Sequence, residues 1–182
     1  MEAPWAAGYS FILMLTTQLL ILIHVLAMAG FFGVQFAMLY MLLPAAERAH
    51  DEAGRRAILI QGFRFYNPFS LAMLGVLVIS GATRLTDLKA QMAVNYFARI
   101  GNLLSLKLLL AFLLIFIQTY LTFGLAFRIG RQEEVAAHGD GPPFTVEKVN
   151  SMLGRIRAMT WVTIILTVAI VWESLRMVRL IG

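Results

Sequence analysis

The chain has no cysteine in its 182 residues. That excludes disulfides, thiolate metal sites, cysteine nucleophiles, cysteine-ligated clusters and covalent haem attachment. Charge is scarce as well. Asp, Glu, Lys and Arg make up 14% of the residues, against about 25% in a typical soluble domain. No HExxH, GxSxG, P-loop or dinucleotide fingerprint occurs, so hydrolase and nucleotide chemistry have no support. A secretory leader is not expected: Met1 to Gly8 holds Glu2 and no Lys or Arg, and the apolar run that follows is too long for an h-region. The net charge of +5 is accounted for by loops that orient a membrane protein, and no nucleic-acid partner is implied.

What the chain has in abundance is apolar length. Hydrophobic residues make up 60% of it and its mean hydropathy is +0.79. A helix needs about 20 apolar residues to cross the hydrocarbon, and four stretches qualify: 9–43, 65–83, 100–127 and 158–175. The pattern predicts an all-α, single-domain integral membrane protein, a four-helix up-and-down transmembrane bundle surrounded by the lipid bilayer, because each helix satisfies its own backbone.

Three polar segments join the spans. Pro44 to Phe63 is rich in helix formers and runs into the second span, where Pro68 would kink the helix or mark its first turn. Arg84 to Arg99 is a short connection. Gly130 to Asn150 contains the breaker GDGPP, after which Thr145 is placed as an N-cap with Glu147 in the first turn. The first and third loops with their flanks carry nine basic residues, the other side five. The positive-inside rule then puts both termini on the outer, periplasmic side of a bacterial inner membrane. Trp5, Tyr9, Tyr96 and Trp172 would form the outer aromatic belt, and Tyr40, Tyr66 and Trp161 the inner one.

The candidate functional residues are the polar groups inside the spans. His24 stands alone near the middle of the first span, and an ionisable group at membrane depth is a functional hypothesis by default. Met28 and Gln35 lie four and eleven residues after it and share its stripe. Ala29, Gly33 and Ala37 form a small-residue ridge beside that stripe, which would let another helix approach. A neutral imidazole there could ligate haem iron or another metal, shuttle a proton, or bond across helices. On the third span Lys107 and Gln118 are again eleven residues apart on one face, so Lys107 either joins an interior polar seam or snorkels outward. Thr160, Thr163 and Thr167 share a face of the fourth span, where bonding to their own helix or a neighbour is the ordinary use. Glu173 is at a level where Lys107 could reach it. Arg64, at the start of the second span, could hold a carboxylate or phosphate bidentately or anchor the interface. His50 and His138 fall in charged loops and read as solvated. The ten methionines invite a copper reading, but Met14, Met28, Met38 and Met41 do not share one helical face.

Three of the four spans carry a resemblance. IHVLAMAGFFGVQFAMLYMLLPA, RFYNPFSLAMLGVLVISGATRL and LLSLKLLLAFLLIFIQTYL resemble the first three helices of two related groups, the HemJ-type protoporphyrinogen oxidases and the CopD-type copper resistance proteins. The HemJ resemblance implies a b-type haem and oxidation of protoporphyrinogen IX, with His24 as the haem-linked histidine, Lys107 as the essential lysine and Arg64 as the basic residue before the second helix. Met28 or a second chain would supply the other axial ligand, and Gln118 would line the site. Ile117 and Gln118 stand where that group usually carries a Tyr-His pair. The CopD resemblance implies copper movement across the inner membrane, and LLPAA suits that group; Met1, Met92 and Met177 are the soft ligands on the outer side. A third class of function is a non-catalytic subunit, packed through the small-residue ridge into a homo-oligomer or a larger respiratory or photosynthetic complex.

Overall fold

The computed structural model describes residues 4–92, 96–142 and 145–181; side chains are described from 15 to 86 and from 101 onward, except at 133, 137, 178, 180 and 181. Among the described residues the chain is helical with no strand. Helix α1 (Pro4–Ala37) passes through a π-helical turn, Met38–Leu42, into α2 (Leu43–Arg48). Helix α3 covers Glu52–Met92. Helix α4 (Tyr96–Thr119) passes through a second π-helical turn, Tyr120–Ala126, into α5 (Phe127–Ala137), and α6 covers Val146–Ile181. These make four helical stretches long and apolar enough to cross a membrane.

The spans reach further than their apolar runs. Residues 84–92 continue α3 instead of forming a connection, because Leu85, Leu88, Ala90 and Gln91 are good helix formers. Pro68 lies well inside α3 and not at its start, where it withdraws a hydrogen bond from the Arg64 carbonyl. The turn into α3 is capped by Asp51, whose Oδ1 accepts from the Gly54 amide at 2.9 Å. The end of α5 is closed by Gly139 at φ +81, with Gly139 N bonded to Ala136 O and Asp140 N to Val135 O, both 3.2 Å. Helix α6 begins directly after Thr145.

Neighbouring spans run antiparallel. α1 and α3 come together at Gly30, where a Cβ would sit 2.9 Å from Met73 Sδ. The ridge of Ala29, Gly33 and Ala37 is not that contact surface. Ala29 and Gly33 are exposed, and a Cβ on Gly33 would meet nothing within 4 Å. Both faces of this helix are apolar, so the pattern does not reveal which side meets α3.

The core is uneven along the bundle. Its main cluster fills the loop end, from Val34, Leu39, Leu59, Phe63, Leu121, Leu125, Ile129 and Ile156 among others. The same end is tied by Arg55 to Asn150 and by Arg157 to Glu47. Midway, Phe31, Leu74, Leu114 and Leu166 form an apolar plug. Towards the termini, among the described residues, Leu104 and Met177, with Leu85 and Leu103 against them, make a third cluster. No residue of α1 from 15 to 26 is buried.

The two π turns sit at the same depth on parallel helices. In an α-helix a four-residue repeat drifts about 40° per step. The wider i→i+5 turn reduces that drift, so that Gln118, Thr122 and Ala126, and likewise Leu121, Leu125 and Ile129, all stay buried.

Outside, the molecule is apolar: Met41, Phe112, Phe116, Ile79 and Ile165 are all more than 60% exposed. Inside it is unusually polar. Gln35, Gln118, Ser70, Thr122, Thr160 and Thr163 are at most 1% exposed. That inversion is compatible with an integral membrane protein, in which lipid covers the exterior.

Candidate functional site

Two polar layers cross the interior. The inner one is a closed ring of hydrogen bonds from three helices. Tyr66 Oη donates to Gln35 Oε1 at 3.0 Å, Gln35 Nε2 donates to Gln118 Oε1 at 3.1 Å, and Gln118 Nε2 donates back to Tyr66 Oη at 3.3 Å. Gln118 Nε2 also donates to Thr122 Oγ1 at 3.3 Å. Tyr66 therefore belongs to this ring and not to the aromatic belt; Tyr40, Trp161 and Trp172 are exposed as a belt requires. The belt positions Trp5, Tyr9 and Tyr96 lie outside the described side chains.

The outer layer is organised by His24. Its Nδ1 lies 2.8 Å from Ser80 Oγ. A Cβ on Gly81 would stand 3.6 Å from His24 Cε1, so the glycine lets the ring lie against α3. Lys107 falls at the same depth. Gln35 and Gln118 meet across the bundle at a separation of 83 residues. His24 and Lys107 are each eleven residues before them on parallel helices, at the same separation. Eleven residues of helix put the outer layer about 16 Å from the ring.

Arg84 lies one turn beyond Ser80 on α3, where it is exposed, and its charge acts on both His24 and Lys107. Lys107 is half-buried and makes no hydrogen bond or ion pair among the described residues. Glu173 is brought to this depth on α6, counting back from the Leu104–Met177 contact. Its partner is not Lys107 but Arg176, one turn along its own helix at 3.1 Å. Glu173 Oε2 is buried with no partner among the described residues. Each of the four spans thus contributes one polar side chain to the outer layer: His24, Ser80, Lys107 and Glu173. The apolar plug of Phe31, Leu74, Leu114 and Leu166 is its floor.

The structure separates some residues that the sequence groups. Gln118 belongs to the inner ring. Arg64 is exposed near the loop end of α3, sixteen residues from Ser80 and so about 24 Å away along the helix. Met28 is half-buried one turn from His24. Side chains four residues apart lie side by side on a helix, so Met28 stands next to His24 on α1. Of the threonines, Thr160 Oγ1 donates to Ile156 O and Thr167 Oγ1 to Thr163 O, both at 2.7 Å; Thr163 Oγ1 has no partner among the described residues. His50 and His138 are exposed.

Sequence reasoning misses Ser80, Arg84 and Tyr66 as site residues. Folding the first two spans as a hairpin about 49–51 pairs residue 24 with 74–78, within two turns of Ser80, a signal that could have narrowed the search to it.

Chemically, the outer layer combines an imidazole, a hydroxyl, an ammonium and a carboxylate above an apolar floor, with the exposed Arg84 one turn beyond it. No cluster of three or more His, Cys, Asp or Glu occurs among the described residues. The chain matches no protein-family model, no curated protein and no solved structure.

Proposed function

We propose that this chain is a haem-b-associated membrane redox protein, resembling the HemJ-type protoporphyrinogen IX oxidases and set in a bacterial inner membrane with both termini outside. The support for the proposal is that His24 and Lys107 share one layer above an apolar plug, with the exposed Arg84 one turn beyond Ser80 on α3. The donor set fits a haem. His24 would hold the iron, and Lys107 with Arg84 would hold the carboxylate groups. Arg84 takes the part that the resemblance gives to Arg64. When bound, a haem supplies a one-electron carrier to this layer. The protein's own part is to orient the ligand through His24, to neutralise its acid groups, and to exclude water from below through Phe31, Leu74, Leu114 and Leu166. A carboxylate-bearing porphyrin substrate suits the same two cations.

The copper reading gains less. His24 and Met28 are its only nearby nitrogen and sulfur donors among the described side chains, and the positive charges of Lys107 and Arg84 disfavour Cu(I) there. A non-catalytic subunit keeps one specific observation: the exposed small-residue ridge of α1 lies beside the stacked ladder Phe32, Phe36 and Tyr40.

The test is an optical spectrum of detergent-purified protein, oxidised and reduced. Expected are a sharp Soret band and resolved α and β bands, all lost in His24→Ala. A featureless spectrum after expression with ample haem, or an unchanged one in His24→Ala, refutes the proposal.

A further inference from the structure

Ser80 is buried at 3% exposure and its hydroxyl has one proton. Its Oγ lies 2.5 Å from Val76 O and 3.3 Å from Leu77 O, on its own helix. Carbonyl oxygens carry no proton, so the hydroxyl must donate in that direction. The same Oγ lies 2.8 Å from His24 Nδ1. Having given its proton away, Oγ can only accept from the imidazole. Nδ1 then carries the single ring proton of the neutral form, and Nε2 keeps its lone pair.

We propose that Ser80 is a positioning residue that fixes His24 in the Nδ1–H tautomer and so presents Nε2 as the atom that meets the ligand. The inference deepens the haem proposal by naming what makes His24 a competent donor. The opposite tautomer would offer an N–H at Nε2, which can donate a hydrogen bond but cannot ligate a metal centre. The bond from Nδ1 also raises the basicity of Nε2, as partners behind metal-binding histidines do. The chain Val76 carbonyl, Ser80 hydroxyl and His24 imidazole thus orients the ring from a rigid helix rather than from a loop.

Two measurements test this, one of them independent of haem. First, ligand-free protein labelled with ¹⁵N-histidine is assigned by NMR using His24→Ala, since the chain has three histidines. In free histidine the Nε2–H form predominates. Here the ratio is expected to shift about tenfold towards Nδ1–H, the change that one hydrogen bond of ordinary strength makes, so that the Nδ1–H form predominates. That excess should collapse in Ser80→Ala and be restored in Ser80→Thr. A predominant Nε2–H form in the wild type, or an unaltered ratio in Ser80→Ala, overturns the proposal. If Ser80→Ala does not fold, the wild-type ratio and Ser80→Thr decide it.

Second, haem-loaded Ser80→Ala should show a higher reduction potential than the wild type, because a less basic imidazole stabilises the ferric state less. Ser80→Thr should return the potential towards wild type. An equal potential in all three proteins overturns the electronic part. If no haem is taken up but the Nδ1–H form is found, the haem proposal fails while the role of Ser80 stands. If haem is taken up but the Nε2–H form is found, the role of Ser80 fails while the haem proposal stands.

Discussion

Replacing Gln118 with Leu should destabilise the bundle by about 2 kcal/mol. Gln118 takes part in three side-chain hydrogen bonds, to Gln35, Tyr66 and Thr122. Interhelical hydrogen bonds within a membrane average about 0.6 kcal/mol each, which gives the figure. Gln35 Nε2 is left without its acceptor, and an orphaned buried polar group adds to the loss. The sharper prediction concerns coupling. Once Gln118 is gone, Gln35→Leu removes only the bond from Tyr66. The double variant Gln35→Leu/Gln118→Leu should therefore lose less than the sum of the singles, by about 1 kcal/mol. Adding Tyr66→Phe removes the ring's last donor and should restore part of the stability, since that hydroxyl no longer has to be buried without a partner. The assay is reversible unfolding in mixed micelles, followed by loss of helical circular dichroism. Losses that add within about 0.3 kcal/mol would mean that the ring does not act as a unit and would refute the reasoning.

Four further outcomes are expected. Arg84→Ala should weaken retention of an anionic porphyrin through washing, whereas Arg64→Ala should leave it unchanged, as judged by the Soret absorbance per protein. Gly62→Val should destabilise by about 1–3 kcal/mol, because even a Cβ there would collide with Leu42 Cδ1; its melting temperature reports this. Gly33→Ala, with open space around it, should be neutral or stabilise by up to about 1 kcal/mol in the same melt. Glu47→Ala should cost at most about 1 kcal/mol, because its pair with Arg157 is solvent-accessible, and added salt should erase the difference.

The four spans are legible because apolar runs of that length have few other uses. So is the shared face of polar residues within a helix: the eleven-residue spacings from His24 to Gln35 and from Lys107 to Gln118 place each pair on one stripe. What the pattern withholds is azimuth. A membrane helix is apolar on most sides, so periodicity does not say which side meets a neighbour. Hence the ridge of Ala29, Gly33 and Ala37 reads as a contact, while Gly30 makes it. Tyr66 reads as a belt residue because tyrosine suits both an interface and a buried hydrogen bond. Arg84 looks like part of a loop because polar residues follow it, yet they continue the helix. The π turns have no sequence signature of their own. Glu173 does lie at the depth of Lys107, but a partner on its own helix, Arg176, captures it.

The ring of Gln35, Tyr66 and Gln118 also gives the molecule a direction. Both amide hydrogens of Gln118 and the phenol proton of Tyr66 are engaged. Between the ring and His24 stands the plug of Phe31, Leu74, Leu114 and Leu166. Among the described residues, no file of wettable groups runs through the loop-end half. The described interior is therefore asymmetric about His24: on the loop side the apolar plug and then the hydrogen-bonded ring separate it from the loop-end core.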